Sequence, residues 1–212
     1  MSDDVPLTLR PATSEDRFRI RRWLTEPEVV AGWGNAGSAE AEINLAMGSE
    51  VAICRVIEHA GVSIGYAHAL EIGLLGDARP WDLAAGTWYV NHLIASEPHR
   101  GHDLDSVALA LLIEEVFATT LAVACAAVVS IRSEFAARAC ERAGFRWRQI
   151  VHDRLPAMFT IDIIWNVCKR TWTIQRVHCD QICKGVGFQL LQVFLHTRTF
   201  KLKDAVGFSP LK

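Results

Sequence analysis

The stretch Thr87-Trp88-Tyr89-Val90-Asn91-His92-Leu93-Ile94-Ala95, Ser96-Glu97-Pro98-His99-Arg100-Gly101-His102-Asp103-Leu104-Asp105-Ser106, Val107-Ala108-Leu109-Ala110-Leu111-Leu112-Ile113-Glu114-Glu115-Val116-Phe117 decides the fold. It reads as a strand, a tight polar loop and an amphipathic helix. A loop that turns directly into a helix leaves several backbone N–H groups without intrahelical partners. Together with the helix dipole, those groups favour a bound phosphate. Downstream, Leu121 to Ile131 is a nearly continuous run of small and branched apolar residues. After a crossover helix, such a run reads as a strand buried on both faces and parallel to its neighbour. Ser133 to Phe145 then reads as a short helix, Glu134 to Ala143, closed by Gly144, with a further strand over Phe145 to His152.

Working back toward the N-terminus, Leu7 to Arg10 is a short strand ended by Pro11. Thr13 with Asp16 is a near capping box, and Phe18, Ile20, Trp23 and Leu24 give a helical stripe, so Ser14 to Leu24 is expected to be the first helix. Glu26-Pro27-Glu28 interrupts it, Val29 to Gly34 is expected to lead into a loop, and Ser38 caps a second helix through about Met47. Val51 to Ile57 and Ser63 to Leu70 form a hairpin turned at His59-Ala60-Gly61. Gly73 to Ala85 is a polar connection. Met158 to Trp165 supplies a last strand.

The loop and the later helix resemble the GNAT superfamily of acyl-coenzyme A dependent N-acyltransferases. The family's loop reads R/Q-x-x-G-x-G/A and its later motif N-x-x-A-x-x-x-Y-E-K-x-G-F. Arg100, Gly101, Ala136, Glu141, Gly144 and Phe145 fit. Asp103 and Asp105 stand where glycine or alanine is usual, Ser133 replaces the asparagine, and Cys140 the tyrosine. The order W-L-x-x-x-x-V-x-x-W-G, Trp23 to Gly34, together with Ile64-Gly65-Tyr66-Ala67, is similar to the aminoglycoside 6'-N-acetyltransferase branch. The resemblance covers residues 7 to about 155 and implies an α/β GNAT fold, a mixed central sheet with helices on both faces.

It also implies a reaction: acetyl-coenzyme A dependent N-acetylation of a small amine, an aminoglycoside being the acceptor, by direct ternary-complex transfer. Antibiotic resistance is the role that goes with that acceptor. By position, the cofactor falls to Leu93, Ile94 and Ala95 on the strand, to Arg100, Gly101, His102, Asp103, Leu104, Asp105 and Ser106 in the loop, and to Ser133 and Ala136. Asn91 sits where aminoglycoside-modifying relatives place an acidic residue, and an amide cannot take an ammonium proton. His92, whose ordinary pKa lies near neutrality, is a base acting through water, or else a structural histidine. Cys140 is either the proton donor to the leaving thiolate or a buried small residue. Trp33, Tyr66 and Trp88 are assigned to the acceptor pocket, and Glu71, Asp77 and Asp82 are carboxylates able to attract a polyamine.

The two loop aspartates set the expected weakness of the cofactor site. A carboxylate about 5 Å from a phosphate repels it by roughly 3 kcal/mol at an effective dielectric of about 20, and a left-handed backbone at a non-glycine residue adds about 1 to 2 kcal/mol. In addition, Asp105 or Ser106 is expected to cap the helix and so occupy the N–H groups a phosphate needs. The competing class is therefore a catalytically impaired GNAT scaffold that binds a ligand or self-associates.

Composition bounds the rest. The chain has 212 residues, half of them hydrophobic, so it can bury a sizeable core. No apolar run reaches the roughly 18 residues needed to span a bilayer, and Met1-Ser2-Asp3-Asp4 is unlike a signal peptide, so a soluble cytoplasmic protein is expected. Six irregularly spaced cysteines suit reduced thiols better than a disulfide framework. His178, Cys179 and Cys183 lack a second ligand cluster, so no metal is expected. Residues 1–165, the expected acetyltransferase domain, hold 14 Lys and Arg against 22 Asp and Glu, whereas residues 166–212 hold 8 against 2. An acidic body suits a cationic acceptor. The basic extension, 166–212, shows no sustained period and no nucleic-acid motif, so neither nucleic acid nor membrane is an expected partner. A homodimer is compatible with this reading and not required by it.

Overall fold

A computed structural model describes residues 6–33, 36–78, 83–99, 103–130, 133–152 and 161–168. The chain divides into Met1–Thr173 and Ile174–Lys212, and every described residue belongs to the first unit. The expected extension and the His178, Cys179, Cys183 group lie outside the described residues.

Seven strands form one sheet in the order β1-β2-β3-β4-β5-β7-β6. They are β1 (Leu7–Pro11), β2 (Ile53–His59), β3 (Val62–Glu71), β4 (Thr87–Ile94), β5 (Ala124–Ser130), β6 (Arg146–His152) and β7 (Ile161–Cys168). Among the described strands only β4 and β5 pair in parallel; the other neighbours are antiparallel. The β2–β3 hairpin turns on Ala60 and Gly61, both left-handed at φ 53° and 74°, the conformation of a two-residue type I' turn. The last strand does not extend the edge of the sheet: β7 inserts between β5 and β6.

Among the described residues five α-helices accompany the sheet: α1 (Asp16–Trp23), α2 (Pro27–Trp33), α3 (Ala36–Gly48), α4 (Leu104–Thr119) and α5 (Glu134–Arg142). Asp16 ties the N-terminus together. Its carboxylate accepts from the Thr13 N–H at 2.9 Å, the returning half of the expected capping box, and takes two 2.8 Å bonds from the Arg10 guanidinium. The Arg10 bonds hold the buried Asp16 carboxyl well below the usual carboxylate range. Val29 to Trp33, expected to lead into a loop, instead lie in helix α2. α1 ends at Trp23, before the Glu26-Pro27-Glu28 interruption; proline also suits the first position of a helix, where no N–H partner is needed, and α2 starts on it. The connection after β3 likewise begins as a 3-10 helix, Ile72–Ala78.

Alternation along β4 assigns the two faces of the sheet. Trp88, Val90 and Ile94 pack into a core with Ala108, Leu109, Leu112, Ile113 and Val116 of α4 and with Cys140 of α5. Leu93 packs on the other face with Ile20 of α1, Val29 of α2, and Ala39 and Ile43 of α3. Helices therefore cover both faces, as expected. At Gly65 the β3 backbone meets β4 so closely that a Cβ would overlap the Leu93 carbonyl oxygen.

Candidate functional site

The central strands part company. Parallel pairing joins Thr87–Tyr89 of β4 to Ala124–Ala126 of β5 and goes no further. Yet β4 continues along β3 to Ile94, and β5 continues along β7 to Ser130. The two strands diverge beyond Tyr89, and the sheet opens as a wedge between Val90–Ile94 and Ala127–Ser130. Leu93, Ile94 and Ala95 lie on the β4 side of that wedge, all buried. The Ala95 and Ser96 N–H groups both turn to the Ile64 carbonyl, at 2.9 and 3.2 Å, which ends the strand.

The loop that follows returns into α4 at Asp103. This residue is left-handed at φ 62°, the backbone conformation that a glycine takes without strain. Its carboxylate lies outward and pairs with the Arg142 guanidinium of α5. A shallow hollow between the start of α4 and α5 is lined by Asp103, Asp105, Ser106, Phe135, Arg138 and Arg142. Arg100, Gly101 and His102 fall outside the described residues.

The expected cap is corrected. Asp103, not Asp105 or Ser106, is the N-cap of α4, and it makes no side-chain cap bond. Ser106 Oγ instead donates to the Asp103 carbonyl at 2.7 Å. Asp105 turns under the helix: its Oδ1 is 3.0 Å from His92 Nε2 on β4, and its Oδ2 is buried with no hydrogen-bond partner among the described residues. Neither side chain covers the N–H groups of the first turn as a cap would. Leu104, the first residue of α4, is half-buried against the core.

His92 and Asn91 are neighbours in sequence and opposite in space. His92 faces α4 and Asp105. Asn91 faces α3, where its Nδ2 donates at 2.9 Å to both Glu42 Oε1 and Tyr89 Oη. Its Oδ1 accepts the His92 N–H at 2.9 Å, which fixes which end of the amide faces Glu42. His68 Nε2, fully buried on β3, is 3.1 Å from the same Glu42 oxygen. Burial would raise the Glu42 carboxyl, but His68 beside it and hydrogen bonds from Asn91 and Tyr89 hold it below the usual range. It is a partly enclosed carboxylate whose neighbours favour its charged form.

Glu42, His68 and Tyr89 were not among the sequence candidates. A signal existed. Glu42 lies within the stripe of Ala39, Ile43 and Ala46, and His68 alternates with Tyr66 and Leu70, so each is a polar residue on a buried face.

The remaining candidates are more enclosed than an open pocket would leave them. Tyr66 is fully buried with Ile20, Leu24 and Ile43, and burial together with Cys54 and Glu42 nearby raises its hydroxyl far above the ordinary range. Trp88 is buried in the α4-side core. Trp33 ends α2, and its side chain is outside the described residues. Ser133 is the N-cap of α5, its Oγ accepting from the Ala136 N–H at 3.3 Å. Cys140 lies in the α4-side core, where burial, with Glu141 adding to it, pushes the thiol up to about 12. No group of three or more metal-ligating side chains occurs among the described residues.

A mixed sheet with one parallel pair that opens into a wedge is the α/β architecture that the resemblance to N-acyltransferases implies. Residues 12–152 match the family model described as "Acetyltransferase (GNAT) domain", so the chain belongs to that family. No curated protein matches its sequence. Among solved structures, an aminoglycoside acetyltransferase AAC(6')-Ib in complex with coenzyme A aligns at TM-score 0.69 and 20% identity over 81% of this chain and 99% of that one. Spermidine N-acetyltransferase from Vibrio cholerae in complex with CoA and spermine aligns at 0.61 and 14% over 79% and 98%. An uncharacterized protein from Bacillus halodurans aligns at 0.63 and 16% over 79% and 88%. No helix among the described residues is long and apolar enough to cross a membrane.

Proposed function

We propose that this protein is an acetyl-coenzyme A dependent N-acetyltransferase whose acceptor is a small amine of the aminoglycoside type, with transfer direct and in a ternary complex. The observation that carries this reading is the end of β4–β5 pairing at Tyr89 and Ala126, next to the start of α4. A coenzyme fits that geometry in two respects. The end of β4–β5 pairing leaves the β4 edge beyond Tyr89 unpaired with β5, beside Leu93, Ile94 and Ala95, where an extended chain would lie. The start of α4 carries no side-chain cap bond; the Ser106 and Val107 N–H groups donate to the Asp103 carbonyl, and those of Leu104 and Asp105, which have no partner among the described hydrogen bonds, are the ones offered to a phosphate. Arg100, Gly101 and His102 complete the proposed phosphate loop, and Ser133 and Ala136 its far wall.

Acetyl-coenzyme A supplies an acetyl group on a thioester sulfur. In the reaction a bond forms from amine nitrogen to the acetyl carbon, the carbon–sulfur bond breaks, and the nitrogen's proton leaves while the thiolate gains one. His92 takes the proton through water, with Asp105 orienting its ring at 3.0 Å. Asn91 positions the acceptor side. Cys140 is left out of the chemistry: a buried thiol at about 12 is a poor proton donor to a thiolate. Tyr66, and Trp33 at the end of α2, then stand behind the acceptor side, whereas Trp88 packs on the opposite, α4-side face and is left out of the pocket, and an aminoglycoside acceptor makes resistance the biological consequence.

One observation favours a non-catalytic ligand-binding or self-associating scaffold: the Asp103–Arg142 pair stands at the mouth where a phosphate would bind. Calorimetry with acetyl-coenzyme A decides between the two. The enzyme reading expects saturable binding at micromolar to millimolar cofactor, and no heat at millimolar concentration contradicts it.

A further inference from the structure

Helix α1 is basic although the body that carries it is acidic: Arg17, Arg19, Arg21 and Arg22 fall within Asp16–Trp23. Most of these side chains are engaged. Arg17 Nη1 donates to Asn44 Oδ1 and Arg19 Nη1 to Ser63 Oγ, both at 2.8 Å, and Arg21 pairs with Glu40. Arg22 makes no side-chain hydrogen bond or ion pair among the described residues. Helical spacing sets Phe18 one turn before Arg22 and Arg19 one turn before Trp23, so two guanidiniums and two rings share one face. With Ser63 of β3 they line a hollow of about 310 Å³. Phe18 is 79% exposed, its ring standing at the solvent side of a helix whose core contact is made by Ile20. The carboxylates beside the hollow are already taken. Asp16, 3.7 Å from Arg19, accepts two 2.8 Å bonds from Arg10, and Glu58, which accepts from Ser63 Oγ at 3.3 Å, accepts from Arg10 at 2.8 Å.

We propose that this hollow binds a small aromatic anion, one ring bearing a phosphate or a carboxylate, with the anionic group on Arg22 and Arg19 and the ring against Phe18 and Trp23. A guanidinium presents its donors in a planar fork that matches either oxyanion, and Arg19 keeps donors to spare after its bond to Ser63. A volume of about 310 Å³ lies at the lower end of the range for ligand pockets, which suits one ring and excludes a whole coenzyme. The site is also distinct from the one proposed for transfer. An aminated acceptor is a cation and is repelled by two guanidiniums. The α4–α5 hollow lies across the sheet, since Ile20 of α1 packs on the Leu93 face and α4 on the other. Binding here therefore does not depend on the acetyltransferase reading.

The test is calorimetry on the full chain at low ionic strength with phenyl phosphate and benzoate, and with phenol and inorganic phosphate as the two halves. At least one of the aromatic anions is expected to saturate, about tenfold tighter than either half, and the tighter of the two names the anionic group. Arg22→Gln is expected to weaken it about tenfold and Phe18→Ser about fivefold. Both residues are exposed, so the core is untouched. Arg142→Gln, across the sheet, should leave the affinity unchanged. Inorganic phosphate binding as tightly as phenyl phosphate would show a basic surface without a ring site and overturns the proposal. So does saturation by neither aromatic anion, and so does an affinity that Arg142→Gln lowers while Arg22→Gln and Phe18→Ser leave it alone. If a variant fails to fold, the comparison of whole ligand with halves on the wild type decides.

Discussion

Asp103 concentrates the question of whether the cofactor site works, and two substitutions separate its parts. Its backbone is left-handed at φ 62°, its side chain is 62% exposed, it makes no cap bond, and it pairs with Arg142. Asp103→Gly removes both strain and charge, whereas Asp103→Asn removes the charge alone, because asparagine tolerates the left-handed region. Relief of strain stabilises the fold by about 1 kcal/mol, or about 3 °C in Tm for a chain of this size. No cap hydrogen bond is lost to offset it. For affinity, a charge about 5 Å from a phosphate repels by roughly 3 kcal/mol at a dielectric of about 20, and the exposure of Asp103 reduces this to about 1.5 kcal/mol, or tenfold. Freeing Arg142 to face the anion acts in the same direction. Titration of acetyl-coenzyme A at two salt concentrations is therefore expected to show about tenfold tighter binding for both variants, with the gain shrinking as salt rises. Only Asp103→Gly should also gain in Tm. Unchanged affinity in both variants refutes the electrostatic reasoning, and an equal Tm gain in both refutes the reading of backbone strain.

Gly65→Ala is expected to cost about 3 kcal/mol in urea unfolding, since its Cβ would overlap the Leu93 carbonyl oxygen and force β3 from β4; a cost under about 0.5 kcal/mol contradicts the close approach. Asp16→Asn removes one partner of a buried charged pair and should cost about 2 kcal/mol at pH 7. The folded Asp16 carboxyl lies below its unfolded value of about 3.9, so the gap between wild type and variant holds above about pH 4. It closes as pH falls through the depressed folded value, and a gap that instead grows in acid refutes the pairing. Cys140→Ala should keep kcat within about threefold, whereas a hundredfold loss would restore Cys140 as the proton donor.

Much of the architecture was legible because its signals are local. The apolar run Leu121 to Ile131 and the polar loop before Val107 placed β5 and α4 without any tertiary information. Gly61 and Gly144 marked turns where the backbone is left-handed, at φ 74° and 90°. What was not legible depends on partners distant in sequence. The insertion of β7 between β5 and β6 is a matter of pairing, which periodicity does not encode. Pro27 was read as a helix breaker because that rule and the rule for a first helical position apply to the same residue, and only the α2 that follows separates them. In the site, the loop aspartates were found but not their directions: Asp105 meets His92 on β4, and Asp103 meets Arg142 on α5. Glu42 was missed for the same reason. Its partners, His68 and Asn91, sit on two other elements, and nothing in the sequence around Ala39 to Ala46 shows that a carboxylate there meets an amide on β4.

The most direct test is a transfer assay with the full chain, acetyl-coenzyme A and a multiply aminated acceptor such as kanamycin, following thiol release and product mass together. The account predicts one thiol released for each acetylated amine, with no acetyl group retained on the protein. Thiol release without an acetylated amine, or neither, would contradict it.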